Sequence, residues 1–431
     1  MAAKLVYADS QGRIYDHPYL HLAGRSGWDF HRVPEKELMP LPPGSDLFVL
    51  PGRQAVGYDP RRRRFVTAGE VPGQAGEAQA VAAFMAPAHT MNYLAAYKTT
   101  PGSPVLPLFA YTAVGWKDGR FWVAGWRSDP DRRQDLGQFD CAAIEQGVKS
   151  RLARYPGNRL LQHLSGCALT TGCPAARNLF LGRWEAPLPS SPVCNARCLG
   201  CLSEQENSPF PAPMRRLTFV PRPEEIAEVA VPHLQQAQHP VASFGQGCEG
   251  EPLLQAGTLV EAVKLIRRQV SRGTLNLNTN ASRPEAVVGL VEAGLDSMRV
   301  SLNSARPHYY AAYFRPHGYG LQEVRTAIQA AKSGGARVAL NYLIFPGVSD
   351  VPPEVAALEE LIASTGIDLL QLRNLNIDPD YYLHGMKFPP NQKPMGVRNM
   401  INRLHKAFPS LRFGYFNPPW RDEKAVDPAL V

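Results

Sequence analysis

No stretch of the 431-residue sequence approaches about 18 consecutive apolar residues, the length a membrane-spanning helix needs, so no membrane partner is expected. Met1 to Tyr7 lacks a charged start followed by an apolar stretch. No secretion signal is read there, and the reducing cytosol is the expected compartment. Cysteine is scarce: seven residues, an odd number, three of them within eight positions at Cys194, Cys198 and Cys201. That is poor spacing for a disulfide framework and good spacing for one metal site. Charged residues make up only 19% against 44% hydrophobic, which excludes a disordered chain and fits a globular one. The length exceeds one ordinary core, so two domains, or a barrel with an added domain, are expected.

The net charge of +8 is unevenly placed. Residues 1–180 hold 21 Lys+Arg against 15 Asp+Glu, and the remainder 25 against 23. A basic first region is compatible with a nucleic-acid partner; an ordinary solvated surface is the plainer reading, because charge alone says little. Arg61–Arg64, four arginines in a row, reads as a phosphate contact or as the exposed turn of a hairpin. The turn is favoured, since Asp59-Pro60 immediately precedes it.

Residues 1–180 read mainly as β, in short apolar runs separated by turn residues. Leu47–Leu50 precedes Pro51-Gly52, and Ala55–Tyr58 precedes Asp59-Pro60. Ala113–Trp116 and Arg120–Trp126 flank Lys117-Asp118-Gly119, a hairpin signal. Ala78–Met85 and Ala142–Tyr155 read as helices. From about residue 183 strands and helices alternate. Strands are predicted at Trp184–Leu188, Val241–Phe244, Thr274–Asn278, Ser297–Leu302, Arg337–Ile344 and Leu369–Leu372. Helical patterns fill most of the gaps, several ending at a glycine suited to positive φ. Six βα units imply parallel strands with right-handed crossovers. The expected class is α/β: a partial (β/α)6 TIM-like barrel over 183–416, preceded by a mainly β N-terminal domain over 1–180. A tail, 417–431, is expected to cover an edge.

Cys194-Asn195-Ala196-Arg197-Cys198-Leu199-Gly200-Cys201 follows the first predicted barrel strand. Loops at the C-terminal ends of such strands build active sites. Three thiolates on one loop can hold three irons of a [4Fe–4S] cluster and leave the fourth open to a ligand. Zinc and three buried free thiols are the alternatives. Structural zinc wants four ligands, usually as two separated pairs, and no second Cys-x-x-Cys pair exists. Cys-x3-Cys-x2-Cys after the first strand of an α/β barrel resembles the signature of the radical S-adenosylmethionine (radical SAM) superfamily. Gly200 stands where relatives usually carry an aromatic residue.

The other strand ends extend the resemblance. Gly250-Glu251-Pro252, after the second strand, is similar to the core of the family's Gly-Gly-Glu-Pro motif, with Glu249 in place of the first glycine. The resemblance implies that Glu251 receives the methionine amino group. Asn278 and Asn280 end the third strand, and Ser301 and Asn303 the fourth. The latter two resemble the pair that binds ribose hydroxyls, although each pair taken alone also fits strand-end capping. Arg299 and Arg373 are candidates for the methionine carboxylate. The resemblance covers about residues 183–375. It implies an enzyme in which the cluster reductively cleaves S-adenosylmethionine, and the 5′-deoxyadenosyl radical then abstracts hydrogen from a second substrate. It also implies a one-electron donor such as flavodoxin or ferredoxin. A nucleic-acid-modifying enzyme and a non-catalytic electron carrier or sensor are the rival readings. The carrier would need the cysteines but not Glu251, Ser301 or Asn303. The second substrate is not legible.

Three further cysteines, Cys141, Cys167 and Cys173, suggest a second iron–sulfur cluster. Pro174 after Cys173 is ferredoxin-like. A fourth ligand would be Cys248, a histidine such as His163, or substrate; buried free cysteines are the alternative.

Overall fold

The computed structural model describes residues 2–70 and 78–421. Among them, residues up to Arg127 form an antiparallel sheet of twelve strands. The hairpin around Lys117 to Gly119 forms as the sequence predicts, with Thr112–Lys117 paired to Arg120–Arg127 and Lys117 opposite Arg120. Asp118 and Gly119 both take positive φ, 50° and 74°, as a two-residue hairpin turn requires. The arginine run is a turn: Asp59 Oδ1 accepts from the backbone N–H of Arg61 and Arg62, and Arg64 opens the strand Arg64–Thr67.

The helix expected over Ala78–Met85 is instead the strand Gln79–Phe84. It pairs with Asp46–Asp59, Lys4–Ala8 and Thr112–Lys117. Its alanines suit a helix intrinsically, but Ala80, Val81, Ala82 and Ala83 are all buried. Neighbours on both faces and both edges override propensity. Three helices follow: α1 (Cys141–Arg154), α2 (Arg159–Gly166) and α3 (Pro174–Phe180). Asp140 and Asn158 cap α1 and α2 through their side-chain oxygens.

The second half is a parallel sheet. Its strands, in spatial and chain order, are Glu185–Leu188, Val241–Phe244, Thr274–Thr279, Ser297–Leu302, Arg337–Ile344, Leu369–Asn374 and Arg412–Gly414. The first six are those the sequence predicts. The seventh is an addition too short and too polar to show a period. The crossovers are α4 (Pro223–Gln236), α5 (Ala256–Gln269), α6 (Pro284–Ala293), α7 (Pro307–Phe314) with α8 (Leu321–Ser333), α9 (Pro352–Thr365), and α10 (Pro379–Gly385) with α11 (Val397–Ala407). The first and last strands do not pair, so the barrel is partial and open.

The barrel interior is polar rather than packed with aliphatic side chains. Asn276 Nδ2 donates to Asn278 Oδ1 (2.8 Å), and Ser297 Oγ donates to Asn276 Oδ1 (2.8 Å). Asn417 completes this network from the tail. Its Nδ2 donates to Glu185 Oε1 (2.9 Å), and its Oδ1 accepts from Gln371 (3.0 Å), so it ties the first strand to the sixth. The tail expected to cover an edge puts Asn417 into the barrel, while Arg421 donates to Thr274 Oγ1 and Asp296 Oδ1 at the starts of the strands; 422–431 lie outside the described residues.

The antiparallel sheet docks on the open side of the barrel. Met91 N donates to Asn374 Oδ1 (2.9 Å), Asn374 Nδ2 to His89 O (3.0 Å), and Thr90 Oγ1 to Leu372 O (3.2 Å). Tyr415 N donates to Asp129 Oδ2 (2.7 Å). Arg53 and Asp378, 3% and 1% exposed, form a buried ion pair at 2.7 Å between the two halves. One apolar cluster runs from Val81, Met91 and Leu164 through to Phe244, Val300 and Leu370.

Candidate active site

A cavity of about 1010 Å³ opens at the C-terminal ends of the barrel strands. Cys194, Cys198 and Cys201 lie on its wall, none in a disulfide. Their loop is pinned to the end of α7 by main-chain bonds: Arg197 N to Phe314 O, Leu199 N to Tyr313 O and His317 N to Asn195 O, at 2.9–3.0 Å. Burial pushes the Cys194 thiol up to about 11, with Glu251 adding to it. Burial, then the neighbouring Cys201 and Cys194 thiols, pushes Cys198 well up. Three free thiols of one loop on one cavity wall are the soft donor set that a metal cluster takes, and a cationic core would hold them as thiolates despite burial. The donor set thus suits an iron–sulfur cluster.

The loop after the second strand locks onto the cysteine loop. Gly250 N donates to Ser191 O (2.7 Å) and Glu251 N to Val193 O (2.8 Å). A Cβ at Gly250 would stand 1.9 Å from Val193 O and 3.0 Å from Cys194 N, so only glycine lets the strands of the two loops meet. Glu249 has a structural role that sequence reasoning missed. Buried to 4% exposure, it accepts from Ser190 N (2.7 Å), Ser190 Oγ (3.1 Å), Ser191 N (3.0 Å) and Gln246 N (2.6 Å). Burial raises its carboxyl to about 7 against these donors. No sequence signal marks this role, because Ser190 and Ser191 lie 59 and 58 residues away along the chain.

Glu251 caps the 3-10 turn Pro252–Gln255 that leads into α5. Its Oε1 accepts from Leu253 N (3.0 Å) and the Thr279 hydroxyl, and its Oε2 from Asn280 N (2.8 Å). Burial pushes this carboxyl also up to about 7. A carboxylate offers about four lone-pair sites, so Oε2 retains room for a donor from the cavity. Asn280 Nδ2 donates to Asn195 Oδ1 (2.8 Å), which ties the third strand end to the cysteine loop. Asn278 Nδ2 donates to Gly245 O (2.8 Å).

Gly250, Glu251, Pro252, Asn278, Asn280 and Ser301 all line the cavity. Asn303 is fully buried instead, its Nδ2 donating to Tyr309 O (3.3 Å). Strand alternation would put it with Ser301, but the strand ends at Leu302, and the chain turns before the next side chain can follow. Gly200 leaves space that Tyr313 of α7 enters: a Cβ there would lie 3.2 Å from Tyr313 Oη and 3.3 Å from Asn376 O. Arg299 and Arg373 face the same cavity. Burial, then repulsion from Arg373, pushes the Arg299 guanidinium down to about 10, and its Nε has no partner among the described residues.

The first half of the chain also contributes to the cavity wall, with Met85, His163, Cys167 and Cys173. Cys248, beside Glu249, lines it too. Cys141 does not join them; it is exposed at the start of α1.

Residues 188–358 match the family model described as the radical SAM superfamily. The chain is similar to the Klebsiella pneumoniae FeMo cofactor biosynthesis protein NifB, with 26% identity over 48% of this chain and 46% of that protein. It is similar to a probable GTP 3′,8-cyclase of Thermococcus kodakarensis, with 34% identity over 52% of this chain and 69% of that protein. The chain spans about half the length of the first curated relatives it matches, 46% and 58%. Among solved structures it is similar to methylornithine synthase (PylB): TM-score 0.38, 15% identity, 63% of this chain and 77% of that one. Streptococcus suis SuiB bound to S-adenosylmethionine gives a TM-score of 0.39 at 13% identity, over 64% of this chain and 61% of that one. Among the described residues no helix is long and apolar enough to cross a membrane.

Proposed function

This chain belongs to the radical SAM superfamily, and from that premise we propose that it is an enzyme using a [4Fe–4S] cluster and S-adenosylmethionine on a second substrate. The observation that supports this most is convergence. Three thiols of one loop, Glu251, Asn278, Asn280 and Ser301 come from the ends of four consecutive strands and open on one cavity. A carrier of electrons has no use for such an array.

When bound, the cluster would supply the one-electron reduction that breaks the carbon–sulfur bond of S-adenosylmethionine into methionine and a hydrogen-abstracting 5′-deoxyadenosyl radical. Cys194, Cys198 and Cys201 would hold three of its irons. Glu251 accepts the cofactor's ammonium group at Oε2, a charge-assisted bond in a dry site. Gly250 and Pro252 fix the loop that presents it. Arg299 and Arg373 offer cationic donors for a carboxylate. Asn278, Asn280 and Ser301 present polar groups toward the nucleoside. Asn303 is a positioning residue that holds the Tyr309 carbonyl at α7. The antiparallel sheet with α2 and α3 excludes water from the open side. A one-electron donor such as flavodoxin or ferredoxin would reduce the enzyme.

The test is 5′-deoxyadenosine formation under strong reductant. The Cys194→Ala/Cys198→Ala/Cys201→Ala variant is expected to form none. Formation at the rate of the unmodified chain would remove this reading.

A further inference from the structure

The part of the cavity wall that comes from the first half of the chain carries soft donors of its own. His163 and Cys167 lie one helical turn apart at the end of α2, with Cys167 Sγ 3.6 Å from His163 Nε2. Cys248 reaches them from the loop after the second barrel strand, its carbonyl held by Leu217 N (2.7 Å). The ligand atoms of His163, Cys167 and Cys248 all lie within 4.8 Å of one another, and all three residues line the cavity. The turn that delivers Cys167 is a widened π-turn, Cys167–Thr171, closed by Gly172 at φ 74° and by Cys173 N donating to Cys167 O (2.9 Å). Such turns recur at functional sites. A thiol–imidazole hydrogen bond accounts for His163 and Cys167 as a pair. It does not account for a third soft donor brought to them from the other half of the chain.

We propose that His163, Cys167 and Cys248 hold a single zinc ion whose fourth coordination position opens on the cavity. A tetrahedral zinc, with bonds of about 2.0–2.1 Å to nitrogen and about 2.3 Å to sulfur, sets its ligand atoms about 3.6–3.8 Å apart. His163 and Cys167 already stand at that separation. The other two pairs exceed it by no more than about 1.2 Å. The same spacing is too tight for ligands of separate irons in a cluster. One imidazole with two thiolates is also a donor set that zinc takes. Cys173 lies outside the group, so three protein ligands meet and one position remains, the arrangement of a zinc that acts on a bound molecule rather than one that only braces a fold. Two donors come from the end of α2 and one from a barrel loop, so docking the first region on the barrel assembles the site. As a Lewis acid the ion would take an oxygen or sulfur donor of the second substrate into the cavity shared with Glu251 and the cysteine loop. That last role rests on the function proposed above; the ion site does not.

The experiment uses the full chain as the Cys194→Ala/Cys198→Ala/Cys201→Ala variant, so that the main loop takes no metal, prepared without oxygen and equilibrated with zinc. About one zinc per chain, without acid-labile sulfide, is the expected content. Adding Cys167→Ala and Cys248→Ala should remove it, while adding Cys173→Ala should not. Cobalt(II) in place of zinc should show the absorption of a four-coordinate ion with thiolate charge-transfer bands, and azide should shift them by entering the open position. In the otherwise unmodified chain loaded with iron and sulfide, His163→Ala should lose zinc and keep iron, and His163→Cys should restore the zinc, which tests the site even where the multiple variants fold poorly. Zinc retained after Cys167→Ala/Cys248→Ala, zinc lost with Cys173→Ala, a cobalt spectrum indifferent to azide, or iron and sulfide bound by these residues in place of zinc would overturn the proposal. Metal content is read without turnover, so failure here leaves the reading of the main loop standing.

Discussion

At the scale of single residues, two buried glutamates two positions apart divide the work. Glu251 faces the cavity with an acceptor to spare, whereas Glu249 spends its carboxylate on four donors of the protein itself. Glu251→Gln should leave iron bound but weaken S-adenosylmethionine. Loss of a charged hydrogen bond costs about 1.5–3 kcal/mol, roughly tenfold to more than a hundredfold in the dissociation constant. Equilibrium binding to the reconstituted enzyme measures it, and an unchanged constant would move the amino-group site elsewhere. Glu249→Gln should act differently. Its amide would meet backbone N–H groups head-on and cost about 2 kcal/mol or more of stability. Iron retention should fall with the denaturation midpoint, while the affinity of the loaded fraction stays unchanged. The sequence showed Glu251 by its motif and showed Glu249 only as a departure from it. Hydrogen bonds to a loop 58 residues away leave no local pattern.

At the scale of elements, α4 is anchored through His233 to the start of the barrel. His233 Nε2–H donates to Trp184 O (2.9 Å), just ahead of the strand that delivers the cysteine loop. The side chain is fully buried, and burial pushes its pKa down to about 4. The folded chain therefore holds it neutral while the unfolded chain protonates near pH 6.5. Its stabilising contribution is complete above about pH 6.5 and falls away as pH drops toward 4, by about 3 kcal/mol in all. Glu249 and Glu251, raised to about 7, titrate in the same window with the opposite sign, so the His233 slope is read as the difference in denaturant midpoint between the unmodified chain and His233→Gln across that range. The elements themselves were legible where apolar runs, prolines and terminal glycines agreed, as at Val241–Phe244 or α6 before Gly294. Gln79–Phe84 was not, because its alanines favour a helix in isolation and only three neighbouring strands make it extended.

At the scale of the whole molecule, the two sheets share an apolar core and a buried ion pair. Asp378 accepts from Arg53 and from Leu106 N (2.8 Å) while capping α10 through Asp380 N (2.9 Å). Asp378→Asn would strand the Arg53 charge 3% exposed, and removing one partner of a buried pair costs about 3–5 kcal/mol. Calorimetry should show one unfolding transition for both halves, displaced downward as a unit in this variant. Two separate transitions, only one of them shifted, would refute the shared core.

The local sequence by itself determined the parallel barrel, the cysteine loop at its mouth and the Gly-Glu-Pro turn. Each of these is written in short spans, in periods of burial, in glycines at turns and in ligand spacing within a few positions. The tertiary structure decided what depends on distant residues meeting. It put Asn417 inside the barrel, buried Asn303 away from Ser301, and set Cys248 beside Cys167 while leaving Cys141 on the surface. Those outcomes follow from how the helices, the tail and the barrel strands pack on one another, and such contacts carry no spacing for a linear reading to find.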